Sequence, residues 1–142
     1  MQIERRVREI LDSEAEAIKA VSINASYAKA VEFIENCKGK IITTGMGKAG
    51  FVAHKFAAIL SSTATPAVFI HPAEAAHGDL GTLAPGDCIV AFSTSGKTRE
   101  VIEFIQLSRR MNIGSVIGIT SHTDSGLREL SDVTINMGVI KE

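Results

Sequence analysis

At 142 residues the chain has the size of one domain, and 45% hydrophobic, 22% charged and 5% aromatic residues exclude a disordered or fibrous protein. Fifteen Lys and Arg against sixteen Asp and Glu leave a net charge of -1, too little field for a phosphodiester backbone, so nucleic acid is not an expected partner. The first ten residues carry five charges and no run approaches the roughly 18 apolar residues of a membrane span, so no membrane association and a cytoplasmic location are expected.

Residues 1–38 place Ile3, Val7, Ile10, Leu11, Ile18 and Val21, then Tyr27, Ala30, Val31 and Ile34, at helical spacing, which predicts two helices with Asn24 capping the second. From there the period changes. Short β-branched runs predict strands at 41–44, 67–70, 88–92, 116–120 and 133–137. Helical patterns lie between them at 49–60, 98–111 and 126–130, while 72–83 reads as a longer irregular connection. Strand and helix in alternation imply a parallel sheet, and strands apolar throughout imply helices on both faces. The expected fold class is therefore α/β, a three-layer α-β-α sandwich around a five-stranded parallel sheet of order 2-1-3-4-5. Residues 1–38 form a helical segment of the same domain, 39–142 the core, and no second domain is expected. Cys37 and Cys88 fit no metal-binding or redox spacing and are expected as buried thiols.

Two glycine-bearing loops follow strands. The first, Gly45-Met46-Gly47-Lys48-Ala49-Gly50, matches G-x-G-x-x-G before a helix, a spelling used for dinucleotides. Such a site also wants an acidic residue at the end of the second strand, where this chain has Phe69-Ile70-His71-Pro72, so a bare strand-to-helix turn competes with it. The second loop, Ser93-Thr94-Ser95-Gly96-Lys97-Thr98, read with Ala91 resembles a P-loop lacking its first glycine. Against a nucleoside triphosphate stand its place after the third strand and the lack of a strand ending in an Asp for Mg²⁺. The hydroxyls of Ser93, Ser95 and Thr98 beside backbone N–H groups also suit a nest for one phosphate monoester, and a simple Ser or Thr helix cap is the plainer alternative. In the expected strand order the two loops leave neighbouring strands and border one crevice.

After the second strand, His71-Pro72-Ala73-Glu74-Ala75-Ala76-His77-Gly78-Asp79-Leu80-Gly81 gathers two His and two acids. The spacing matches no familiar zinc signature, so no metal is expected, and loop ordering or acid–base chemistry remain. His54 and His122 lack such neighbours and read as ordinary residues of a helix and a polar turn.

Taken together, the glycine loop, the histidine run and Ser93-x-Ser95-Gly96 with Glu100 resemble the SIS (sugar isomerase) domain in its D-arabinose 5-phosphate isomerase branch, from about residue 37 to the end. The resemblance implies a cofactor-free aldose–ketose isomerase that interconverts D-arabinose 5-phosphate and D-ribulose 5-phosphate through an enediolate, feeding the lipopolysaccharide sugar Kdo. It implies Lys48, His77, Glu100 and Glu142 as the catalytic set. Glu142 or Glu100 would be the base, Lys48 the enediolate partner and His77 a proton shuttle. It further implies that Gly45, Gly47, His71, Ser93, Ser95, Gly96 and Thr98 bind the phosphorylated pentose, with Ser62 and Thr63 as sugar contacts. Where the branch commonly carries an acid after Ser-Gly, this chain has Lys97. The family continues beyond residue 142 with helices, a further histidine and often CBS domains, so binding with weak turnover is expected of the 142-residue form. A non-catalytic SIS module that binds a sugar phosphate and regulates is the alternative, and an NTP-binding protein the third. The long N-terminal apolar stripe, with the family's habit of sharing sites, implies a homo-oligomer, a dimer or tetramer.

Overall fold

The structure, a computed structural model, describes residues 1–139. The elements run α1 (Gln2–Lys19), α2 (Ala25–Glu35), β1 (Ile41–Gly45), α3 (Gly47–Ser62), β2 (Ala67–Phe69), α4 (Pro72–Ala75), a 3-10 turn (Asp79–Thr82), β3 (Cys88–Phe92), α5 (Arg99–Arg109), β4 (Val116–Thr120), α6 (Gly126–Leu130) and β5 (Val133–Asn136). All strand pairs are parallel and the sheet order is β2-β1-β3-β4-β5, the expected one. Helices cover both faces. Phe33 and Ile34 of α2 and Ala53 and Phe56 of α3 pack with Ile41, Val90 and Ile117 on one side. Ala75 of α4, Val101, Phe104 and Ile105 of α5 and Leu127 of α6 pack with Ile42, Ile89 and Val116 on the other. β1 and β3 are buried along their whole length, as two covered faces require.

Asn24 caps α2 as expected, its Oδ1 accepting from the Ser26 N–H at 2.9 Å. The stretch 72–83 departs from the irregular connection expected of it. Pro72 fits a first helical turn, where its missing N–H costs nothing, and starts α4, whose Ala75 is buried beneath α5; the chain then coils through the 3-10 turn. Cys88 is buried, and burial first, with Cys37 and Asp132 nearby, pushes its thiol up to about 12. Cys37, expected buried, is only half-buried, its Sγ lying 3.4 Å from the Gly86 carbonyl oxygen and 3.5 Å from that of Lys40. No residue of α1 is buried. No helix among the described residues is long and apolar enough to cross a membrane.

The β1–β3 pairing fixes the functional edge. Its register runs from Ile41↔Cys88 to Gly45↔Phe92, so the two strands end level and release their loops side by side. At the opposite edge Asp87, 1% exposed, accepts from the Lys40 N–H (2.9 Å), the Lys40 ammonium (2.7 Å) and the Ala84 N–H (2.8 Å). Burial alone would raise this carboxyl; the Lys40 ammonium and the two amides outweigh it and hold it below its ordinary 3.8. A carboxylate held low in the native state adds stability above its unfolded value and loses it as pH falls through the native one. Asp87→Ala is expected to cost about 3 to 5 kcal/mol at pH 7 in urea unfolding, as for a broken buried pair. The gap between wild type and variant should close as pH falls below about 4. An equal gap at pH 3 and pH 7 would show that the charge is not what pins the strands.

Candidate active site

At the end of β1, Gly45 and the first turn of α3 approach closely. A Cβ on Gly50 would stand 2.6 Å from the Gly45 carbonyl oxygen, and one on Gly45 would stand 3.0 Å from Ala49 backbone atoms. These two glycines therefore serve the close strand-to-helix turn. Gly47 differs: nothing lies within 4 Å of where its Cβ would stand, so open space lies beside the start of α3. Met46 holds the cap position at the start of α3 and gives no side-chain cap. Lys48 is exposed on this first turn.

The loop after β3 is stitched to itself and to its neighbours. Ser93, 2% exposed, shares a hydrogen bond with the Thr98 hydroxyl (2.8 Å) and accepts from the Gly96 N–H (3.1 Å). One hydroxyl of the Ser93–Thr98 pair donates to the other, so the pair keeps one proton uncommitted. The Thr94 carbonyl accepts from the Ser121 N–H (3.0 Å), the Thr120 hydroxyl (3.0 Å) and the His122 Nδ1–H (3.0 Å). The Gly96 carbonyl accepts from the Leu127 N–H at 2.9 Å. Gly96 has φ +66°, and a Cβ there would run into the Ser125 side chain. Two groups remain turned to solvent. Exposed Ser95 accepts from the Lys97 N–H through Oγ (3.1 Å) and keeps its proton to donate, and α5 begins at Thr98 with no side-chain cap. By contrast α6 is capped by Ser125. The cap expected as the plainer reading of Thr98 is not formed, because its hydroxyl bonds Ser93.

The end of β2 is tied to the first loop. The Thr44 hydroxyl donates to the Ile70 carbonyl (2.8 Å), the Ile70 N–H to the Thr43 carbonyl (2.9 Å), and the Thr43 hydroxyl to the Ala53 carbonyl of α3 (2.8 Å). His71 follows at once, its Nδ1 buried without a partner among the described residues. It lines a cavity of about 180 Å³ with Gly45, Gly47, Gly50, Phe51, His54 and Phe69. His54, read from sequence as an ordinary helix residue, stacks on Phe69 with ring centroids 5.2 Å apart. Its place three and four residues after Phe51 and Gly50 is the signal that would have found it. Ser121, also missed, is 9% exposed, its N–H donating to the Thr94 carbonyl of the second loop, and its hydroxyl has no partner among the described residues.

The remaining expected residues divide. Glu100 stands half-exposed in the first turn of α5, and Lys48 occupies the equivalent turn of α3 on the neighbouring strand's exit. His77 is exposed between α4 and the 3-10 turn, without a side-chain hydrogen bond among the described residues. Ser62 and Thr63 are not brought to the crevice. They close α3 about 22 Å along the helix from Gly47, and their hydroxyls donate to the Ile59 and Leu60 carbonyls. A helix leaving the carboxyl edge of a parallel sheet returns the chain to the amino edge, and that is where it leaves them. Glu142 lies outside the described residues.

Residues 33–141 match the model of the SIS domain. The chain belongs to the SIS domain family. It is 39% identical over 137 residues to arabinose 5-phosphate isomerase KdsD of Escherichia coli K12, covering 95% of this chain and 42% of that protein. It is 38% identical over 140 residues to arabinose 5-phosphate isomerase KpsF of E. coli, covering 96% and 42%. The SIS chain thus spans less than half the length of these curated relatives. Among solved structures, a Bacteroides fragilis protein assigned as a phosphosugar isomerase involved in capsule formation superposes with TM-score 0.94 at 42% identity, covering 99% of this chain and 76% of that one. An E. coli CFT073 protein in complex with arabinose 5-phosphate superposes with TM-score 0.93 at 31% identity, with the same coverage.

Because the second loop of this SIS domain owes its shape to Gly96, Gly96→Ala tests whether that shape matters. A left-handed non-glycine residue costs about 1 to 3 kcal/mol before the Ser125 overlap is added. The variant is expected to lose at least that much in urea unfolding and to bind inorganic phosphate more weakly by titration calorimetry. Wild-type phosphate affinity in a destabilised Gly96→Ala protein would separate the loop from binding.

Proposed function

We propose that this SIS domain is a cytoplasmic sugar-phosphate aldose–ketose isomerase that interconverts D-arabinose 5-phosphate and D-ribulose 5-phosphate, a step that supplies Kdo for lipopolysaccharide. The observation that carries the reading is the preformed loop of residues 93–98 beside the uncapped start of α5, with Lys48 on the adjoining loop. The names of the two E. coli isomerases support it, as does the related structure in complex with arabinose 5-phosphate.

In this reading the phosphate of the pentose accepts from the Ser95 hydroxyl and from the first N–H groups of α5. The sugar then extends toward Lys48. A base removes the C2 proton of the open-chain aldose, the C2–H electron pair forms the C1=C2 bond, and O1 takes the negative charge. The Lys48 ammonium stabilises that enediolate. The proton returns to C1 while O2 loses its own, which completes the ketose. Glu100 is the base that the described residues offer, with Glu142 the other candidate; His77 moves protons between the oxygens and during ring opening. The protein works as a homo-oligomer, a dimer or tetramer, in which exposed His77 serves a neighbouring chain's pocket.

Ser95→Ala is expected to weaken arabinose 5-phosphate binding by roughly 10- to 150-fold, the worth of one hydrogen bond to a charged group. Glu100→Gln is expected to slow solvent deuterium entry at C2 of the bound sugar by about 10²- to 10⁴-fold while binding persists. NMR of the sugar in D₂O reads that exchange even where net turnover is slow. Binding with no exchange in the wild type would replace the isomerase with the regulatory module.

A further inference from the structure

We propose that His122 is a positioning residue of the second loop. Its imidazole holds the Thr94 carbonyl toward the exit of β4, and so turns the Ser95 N–H, on the far side of the same peptide, toward the ligand. The inference rests on the reading that residues 93–98 bind the phosphate of the sugar. It adds to that site a backbone donor and the side chain that aims it.

Three donors converge on the Thr94 carbonyl, each at 3.0 Å: the Ser121 N–H, the Thr120 hydroxyl and the His122 Nδ1–H. The first is a rung of the β3–β4 ladder, which the bond from the Ser93 N–H to the Ile119 carbonyl (3.0 Å) already carries past the end of β3. A parallel pair would supply that rung with any side chains. The other two donors are additions of this sequence. Thr120 is fully buried, and its Oγ1 also accepts from the His122 N–H (3.1 Å), which sets the backbone from which the ring reaches back to Thr94. A carbonyl oxygen only accepts, so the ring nitrogen facing it, Nδ1, carries the proton. From sequence His122 reads as an ordinary residue of a polar turn; the fold gives it the neighbouring loop as a partner.

The peptide joining Thr94 to Ser95 is trans and planar, so its C=O and N–H point in opposite directions. β3 lies between β1 and β4 in the sheet. With the carbonyl fixed on the β4 side, the Ser95 N–H is directed to the other side, where β1 releases Gly45 to Lys48. That N–H has no partner among the described residues. Its neighbours differ: the Gly96 N–H donates to Ser93 and the Lys97 N–H to the Ser95 hydroxyl. A flip of this one peptide would present an oxygen to the anion in place of a donor, so its orientation decides whether the loop attracts phosphate or repels it. His122 is exposed, and its one side-chain hydrogen bond among the described residues is the one to Thr94. It therefore acts on the loop through that bond and contributes little to the core.

The test titrates inorganic phosphate and arabinose 5-phosphate into the whole chain while ¹H–¹⁵N NMR follows the Ser95 amide. In the wild type that amide proton is expected to move downfield as phosphate binds. His122→Ala is expected to weaken phosphate binding by roughly 2- to 10-fold, the net worth of one neutral hydrogen bond, and to shrink the Ser95 shift. His122→Asn is expected to restore both, because its amide nitrogen hangs from Cγ as Nδ1 does. His122→Gln, whose amide lies one atom farther out, at the level of Nε2, is expected to stay as weak as His122→Ala. Circular dichroism and urea unfolding confirm folding, which an exposed side chain does not endanger. Wild-type affinity and Ser95 shift in His122→Ala, an Asn variant no better than Ala, or a Ser95 amide unmoved while phosphate binds would each overturn the positioning role. Rescue by Gln in place of Asn would also overturn it, since Nε2 would then touch the ligand directly. A wild type that binds neither phosphate nor the sugar phosphate would overturn the phosphate reading itself, and this role with it.

Discussion

The level ending of β1 and β3 is the constraint on which the site depends. Gly45 pairs with Phe92 across the two strands, so any ligand held by both loops meets groups whose separation the sheet sets rather than the loops. A slip of one residue would invert the faces of one strand, moving Thr43 and Thr44 out of their bonds to Ala53 and Ile70 and turning core side chains the wrong way. The register is held at both ends by different means. At the amino edge one buried carboxylate gathers Lys40 and the Ala84 amide, and a Cβ on Gly39 would occupy the space of its Oδ1. At the carboxyl edge two threonines, fully buried, connect β1 to β2 and to α3.

This division leaves the second loop rigid before any ligand arrives. The Ser93 hydroxyl, the Thr94 carbonyl and the Gly96 carbonyl are all engaged with the protein, so each contributes to the loop's shape. Binding then need not order the loop, and ordering is among the larger costs of association. The Ser95 hydroxyl and the bare first turn of α5 keep donors directed outward. An ordered polar loop without outward donors would be a turn; with them it suits the anion that the proposed function places there.

Most of the fold was legible because each strand is a β-branched run between turn residues, and two covered faces demand unbroken apolar stretches such as residues 88–92. The start of α2 was legible in one residue, Asn24, because capping is local. What was hidden is what distant segments decide. Residues 72–83 lack a helical period long enough to read, and only Ala75 seated under α5 makes a turn of helix there. His54 gained its role from stacking on Phe69, fifteen residues away. Ser62 and Thr63 carry hydroxyls suited to a sugar, yet helix length alone removes them from the crevice, a deduction available from the strand–helix alternation itself.

The two edges of the sheet differ in how fully their polar groups are satisfied, and that difference falls on the edge of the proposed site independently of any motif. Around Asp87 the buried charge and its donors are matched. Asp132 in the same way joins the Val116 N–H to Arg109 at the amino end of β4. At the carboxyl edge the accounts stay open. Of three buried side-chain polar atoms without a partner among the described residues, His71 Nδ1 and Ser121 Oγ both lie at that edge, one just after β2 and one just after β4. An unsatisfied buried polar atom costs about 1 to 3 kcal/mol, so a fold that matched its charges so fully at one edge would gain by closing these as well. Their persistence beside two uncapped helix starts means that the folded chain keeps hydrogen-bonding capacity in reserve at one edge. Ligand and ordered water are what can draw on it.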